Sequence, residues 1–207
     1  MEGHFDMWAN GYDISVKISD DNDKYPFAGY KKLMNDIYST VMKKGPATIL
    51  DIGIGTGTLA AKLYESGHAI TGVDFSNEML SIAKSKMPEA NFYKFDFTQG
   101  LPAELAEMKY DFIISTYALH HLTDSSKIAF TKSLLNHLND GGAILFGDVG
   151  FLTRLELEKC KEQNSPDDWD DDEYYFVFSE MKQGLEGSCL MSYKQISHCA
   201  GVIEISK

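Results

Sequence analysis

The sequence predicts an α/β fold: a three-layer, doubly wound domain around a mostly parallel sheet. Three observations carry this. Helix-period and strand-rich segments alternate from residue 30 onward. The strand runs, such as "YDFIIST" and "AILFGD", are nearly continuous in apolar residues, as in strands covered on both faces. One run, "ILDIGIGTGTLA" at 49–60, passes from strand-like sequence into glycines at every second position and then into a helix-like stretch.

The elements follow in chain order. Residues 1–29 are weakly periodic and rich in aromatics and aspartate, which suits a lid or arm outside the sheet. Leu33, Ile37 and Val41 recur every fourth residue on one helical face, and "KKGP" at 43–46 ends that helix. Strands are expected at about 48–53, 69–74, 91–96, 110–116 and 142–148, with helices at about 58–66, 77–86 and 124–138. Residues 30–149 form the α/β core of a single 1–207 domain. Residues 150–207 supply a more polar insertion, then one helix and one strand in "YKQISHCAGVIEISK". "SHCA" at 197–200 is expected to pack within that helix.

Composition removes several classes of function. With Lys+Arg 19 against Asp+Glu 31, the net charge of -12 opposes a polyanionic partner, and no basic patch offsets it. The run "PDDWDDDEYY" at 166–175 is read as a solvated loop or helix start, with a cation or amine site as the alternative. Cys160, Cys189 and Cys199 lack CxxC spacing, and no apolar leader follows Met1, so a reducing cytoplasm is expected. No apolar stretch approaches the ~20 residues needed to span a bilayer.

The glycines have a physical reason. Where a central parallel strand bends sharply into a helix, Gly53, Gly55 and Gly57 permit the tight path and expose backbone N–H groups to a ligand. "GTGTLA" also fits the loose dinucleotide pattern GxGxxG/A. Asp74 ends the next strand in "AITGVDF", where a carboxylate can accept from both hydroxyls of a ribose. Asp96 stands at the end of the third strand between Phe95 and Phe97, a setting for an exocyclic amine and an aromatic ring. The fourth strand runs into "STYALHHLTD", which offers Ser115, Thr116, Tyr117, His120 and His121 at the same edge.

In order and spacing, "DIGIGTG", "GVDFS", "FDF" and "DFIISTYALHHL" resemble the class I S-adenosylmethionine-dependent methyltransferases, a Rossmann-like family. "FDMWANGYD" at 5–13 and "STYALHHLTD" are similar to a subgroup of small, uncharacterised bacterial methyltransferases of the YrrT type. The likeness covers residues 5–148. It implies that S-adenosyl-L-methionine is the cofactor and S-adenosyl-L-homocysteine the product. It further implies that Asp51 and Gly53 lie by the methionine moiety, that Asp74 and the adjacent Phe75 hold the ribose side, and that Asp96 and Phe97 bracket the adenine. Trp8 and Tyr12 would close over the cofactor from the N-terminal arm. Family members end with a last antiparallel strand beside strand five, and this sequence, stopping at Lys207 after one helix and one strand, is expected to lack it.

Methyl transfer from a sulfonium is an in-line displacement, so alignment and exclusion of water are the main contributions a protein can make. Trp8, Tyr12 and Tyr117 are candidates to face the cationic sulfur. Where the acceptor carries a proton, His120 or His121 would take it, though neighbours at a strand end diverge and only one is expected to face the pocket. No metal site is expected, because the i, i+4 histidine spacing of a helical site is absent. The chain also lacks a DPPY-like tetrapeptide after strand four and a Pro-Cys loop, so a small-molecule acceptor is expected rather than nucleic acid. Oligomeric state is left open. The competing readings are a nicotinamide-dependent oxidoreductase and a cofactor-binding protein with impaired catalysis.

Overall fold

The computed structural model describes residues 24–165 and 169–207, so Trp8 and Tyr12 lie outside the described residues. Helix α1, Tyr30–Val41, leads into strand β1, Thr48–Ile52. Then come α2 (Thr58–Glu65), β2 (Ala69–Asp74), α3 (Asn77–Lys86), β3 (Asn91–Lys94), β4 (Tyr110–Thr116), α4 (Asp124–Leu135) and β5 (Leu138–Phe151). The chain ends through α5 (Arg154–Gln163), the short β6 (Phe176–Val177), α6 (Phe178–Gly184), β7 (Leu190–Gln195) and β8 (Ala200–Ser206).

Strand order is β3-β2-β1-β4-β5-β8-β7, with β6 paired to β5 off this path. The pairs from β3 through β5 are parallel, whereas β8 is antiparallel to both β5 and β7. Side chains alternate across the pleat and build one core on each face. Ile49, Phe112, Ile114 and Leu145 pack with Leu33, Ile37, Ala60 and Leu63 on one side. Leu50, Ile52, Ile113, Ile144 and Phe146 pack with Phe130, Leu134 and Met181 on the other. Burying each large apolar side chain contributes roughly 1.5–3 kcal/mol. Gly147 lets α1 lie close to the sheet, since a Cβ there would stand 2.5 Å from Leu33 and 2.8 Å from Ile37.

The C-terminal expectation needs correcting. The last antiparallel strand is present as β8, and the segment read as a helix is β7 plus a turn. "LMSYKQ" is an edge strand whose residues are mostly exposed, so it carries little of the apolar signal that marks buried strands. Tyr193 and Gly201 secure the pairing. The Tyr193 ring covers the space a Cβ on Gly201 would fill, and its hydroxyl donates to the Gly150 carbonyl at 2.8 Å. "SHCA" forms the turn between the strands, with Cys199 buried beneath it. The fourth helix also stops earlier than expected, at Leu135, because the His137 carbonyl is taken up by the Tyr110 N–H at 2.8 Å and draws the chain into β5.

Candidate functional site

A cleft opens at the carboxyl ends of the parallel strands, where strand order reverses between β1 and β4. The glycine turn forms its floor. Gly53 and Gly55 have φ of 70° and 55°, in the left-handed region, and Val73 O accepts from the N–H groups of Gly53 and Ile54 at 2.8 and 3.1 Å. A Cβ on Gly53 would strike that of Ala118 at 2.4 Å, so the turn packs directly against the loop after β4. Gly55 faces open space, with nothing within 4 Å of a built Cβ. Gly57 is not in the cleft wall; it seats α2 on α3, where a Cβ would meet Met87 at 2.7 Å.

Two carboxylates define the inner end. Asp74, at the tip of β2, accepts from Gly55 N at 2.8 Å through one oxygen and from Ser76 N at 2.9 Å through the other. Asp51 is 3% exposed, and its Oδ1 has no hydrogen-bond partner among the described residues. Burial, and then the negative charge of Asp74, push the Asp51 carboxyl up to about 8. A buried acid with an orphaned oxygen, at the wall of a cleft, is poised to receive a cation.

Aromatic rings line the same cleft as this acid. Tyr117 follows β4 with φ 49°, a conformation that costs a non-glycine residue on the order of 1 kcal/mol, and its ring centroid lies 5.2 Å from Phe27 and 5.3 Å from Tyr30. Phe27, Tyr30 and Met34 therefore bring the start of α1 over the cleft. Phe75, Phe97 and Thr116 also line it. Ser115 does not: alternation turns it to the opposite face of the sheet, where its hydroxyl donates to Ile52 O at 2.7 Å. Asp96 lies exposed beside the cleft and outside its wall. It caps the turn 97–99, accepting from Thr98 N at 3.0 Å and the Thr98 hydroxyl at 2.6 Å.

Both histidines face the cleft, contrary to expectation. They sit in a 3-10 turn, Leu119–His121, rather than at a strand end, and their ring centroids are 4.4 Å apart. His120 Nδ1 pairs with Asp148 Oδ1 at 2.8 Å, and its Nε2 lies 3.4 Å from Glu173 Oε1. Burial alone would lower the His120 pKa, but the Asp148 and Glu173 carboxylates outweigh it and raise it. His121 is pushed down instead, by partial burial and then by the neighbouring His120.

Sequence reasoning missed Phe27, Tyr30, Met34, Asp148 and Glu173. The first two had a signal in the aromatics of "FAGY" just ahead of the first helix. Asp148 had one too, since it closes the strand expected at 142–148 as Asp74 closes its own, although β5 runs on to Phe151. Glu173 had only its membership of the acidic run, whose alternative reading as a cation or amine site it bears upon.

Comparison with known proteins gives a consistent result. A family model described as a methyltransferase domain matches residues 49–142. An uncharacterised methyltransferase of Bacillus cytotoxicus is 37% identical over 166 residues, spanning 77% of this chain and 72% of the relative. Another, from Bacillus mycoides, is 34% identical over 214 aligned positions, 99% of this chain and 97% of the relative. Among solved structures, a DhpI complex with SAH aligns with a TM-score of 0.72 at 17% identity, covering 99% of this chain and 93% of that one. A magnesium protoporphyrin IX methyltransferase from Synechocystis PCC 6803 with bound SAM aligns at 0.64 and 16% identity, covering 87% and 81%.

Proposed function

Starting from a chain that belongs to the class I S-adenosylmethionine-dependent methyltransferases, we propose that it methylates a small-molecule acceptor by in-line transfer within the cleft. The observation that carries this reading is Asp51, a buried carboxylate whose Oδ1 has no hydrogen-bond partner among the described residues, in a cleft also lined by the glycine turn, Tyr30 and Tyr117. When bound, S-adenosyl-L-methionine supplies a methyl group activated by a sulfonium.

The residues fit that cofactor. Asp51 receives the ammonium of the methionine moiety, and Gly55, open to the cleft, gives it room at the backbone, while Gly53 lets the turn close on Ala118. Asp74, which accepts from Gly55 N and Ser76 N at the tip of β2, is the carboxylate that accepts from the ribose hydroxyls. Phe75 and Phe97 cover the adenine, with Asp96 near its edge. Tyr117, Tyr30 and Phe27 turn aromatic faces toward the cationic centre, which favours a sulfonium by roughly 0.5–2 kcal/mol. Thr116, Tyr117, His120 and His121 stand where the acceptor would lie, and they orient it and receive its proton where it carries one. Trp8 and Tyr12 belong to this reading as further cover from the N-terminal arm.

The net charge of -12 supports a small acceptor over nucleic acid. Among the described residues, no helix is long and apolar enough to cross a membrane. The cysteine spacing, with no CxxC pair, supports the expected reducing cytoplasm. Family membership does not favour the nicotinamide alternative. The experiment is transfer of labelled methyl from S-adenosylmethionine to components of a metabolite extract. Label in a small product supports the reading. Label found only in nucleic acid would remove the small-molecule assignment, and binding of NAD without S-adenosylhomocysteine would remove the function.

A further inference from the structure

We propose that His120, His121 and Glu173 form a binding site for one divalent transition-metal ion in the acceptor wall of the cleft. One ligand atom from each residue lies within 4.8 Å of the other two. The His120 Nε2 to Glu173 Oε1 separation is 3.4 Å, which matches the edge of a tetrahedron with bonds of about 2.1 Å. The other two edges, each within 4.8 Å, close to the same length when the ion binds.

The groups behind these ligands are arranged as a metal site requires. Asp148, 1% exposed, fixes His120 Nδ1 at 2.8 Å, and the same oxygen accepts from Val149 N at 2.8 Å. The imidazole is thereby held with Nε2 toward Glu173, in the carboxylate–histidine–metal order that orients ligating histidines. On the other side, the Tyr175 hydroxyl donates to Glu173 Oε2 at 2.7 Å and is itself paired with the Tyr25 hydroxyl, leaving Oε1 toward the histidines. Two imidazoles and one carboxylate suit Zn, Fe, Co or Ni better than Mg or Ca, which prefer an all-oxygen shell. The three residues all face the cleft, so an ion there would keep a position open to an incoming ligand.

What the ion would do rests on the methyltransferase reading, and with the ion bound it replaces direct proton acceptance by His120 or His121, whose ring nitrogens it engages. An acceptor O–H or S–H coordinated at the open position loses its proton to water more readily. The resulting lone pair forms the bond to the methyl carbon while the carbon–sulfur bond breaks, its electron pair staying on sulfur.

The test is titration of chelator-stripped full-length protein with Co(II), followed by visible absorption, with S-adenosylhomocysteine binding measured on the same samples. The expected result is one Co(II) per chain, with the intense bands of a low-coordinate nitrogen–oxygen site, displaced by Zn(II). His121→Ala and Glu173→Gln, both at less buried positions than His120, should weaken Co(II) binding at least ~10-fold. Asp148→Asn should weaken it by about 10–100-fold. His68→Ala, away from the cleft, should leave it unchanged. Absence of bound Co(II), or binding that survives both His121→Ala and Glu173→Gln, overturns the proposal. S-adenosylhomocysteine binding without Co(II) binding defeats the metal site and leaves the function standing, whereas site-specific Co(II) binding without the nucleoside does the reverse.

Discussion

Affinity for S-adenosylhomocysteine should rise with pH because of Asp51. In the ligand-free protein its carboxyl is pushed up to about 8 by burial and by Asp74, so it is protonated at neutral pH. An ammonium placed against it requires the ionised form, and binding must therefore release a proton. With a pKa of about 8, the ionised fraction is about 1% at pH 6 and about half at pH 8. The association constant should climb about 50-fold over that interval, about 2.3 kcal/mol, and level off above it. Titration calorimetry at several pH values, in buffers of different ionisation enthalpy, reads both the slope and the proton released. His120, whose pKa is raised by the Asp148 and Glu173 carboxylates, also lines the cleft, so Asp51→Asn is the control: it should bind more weakly and lose most of the slope. Methylthioadenosine, which lacks the amino acid, should show little pH dependence. A flat profile for the native protein, or an equal slope in Asp51→Asn, would refute the role given to this residue. The same linkage has a sign for folding. Because the folded-state pKa lies above the ordinary carboxylate value, the contribution of Asp51 to the ligand-free fold is complete below about pH 4 and is lost as pH rises through about 8.

Asp74→Ala should weaken S-adenosylhomocysteine binding by about 1.5–3 kcal/mol, the range for hydrogen bonds to a charged group; calorimetry that finds no change would mean the ribose lies elsewhere. Tyr117→Leu should cost the sulfonium cofactor roughly 0.5–2 kcal/mol more than the thioether product. Equal losses for the two ligands would show that the ring supplies only packing. Gly147→Ala places a Cβ 2.5 Å from Leu33 and should destabilise the fold by about 1–3 kcal/mol, read as a lower denaturation midpoint. An unchanged midpoint would mean that α1 does not press on β5 as described.

The parts of the fold most legible in the sequence are those whose signal is local. β1, β2, β4 and β5 announce themselves because both faces are covered, leaving little room for polar residues in runs such as "TILDI" and "YDFIIST". The glycine turn is legible for a related reason: left-handed φ at Gly53 and Gly55 leaves few residue types able to serve. β7 was misread because an edge strand with one solvent-facing side is polar at most positions, and its partner contact, Tyr193 over Gly201, appears only once the strands are paired. Within the site, Asp74 follows from a strand end, whereas the place of Asp51 comes from the family resemblance. The convergence of His120 with Glu173 follows from neither, because it depends on a tertiary contact between the turn after β4 and the acidic segment before β6. The outward divergence expected of His120 and His121 assumed a strand, whereas a 3-10 turn swings both rings to one side.

The most direct test of the central claim is a diffraction structure of the protein grown with S-adenosylhomocysteine. The ribose hydroxyls are expected on Asp74, the amino group on Asp51 and the sulfur facing Tyr117. A nucleoside bound outside the cleft, or one reversed so that its adenine meets Asp51, would contradict that claim.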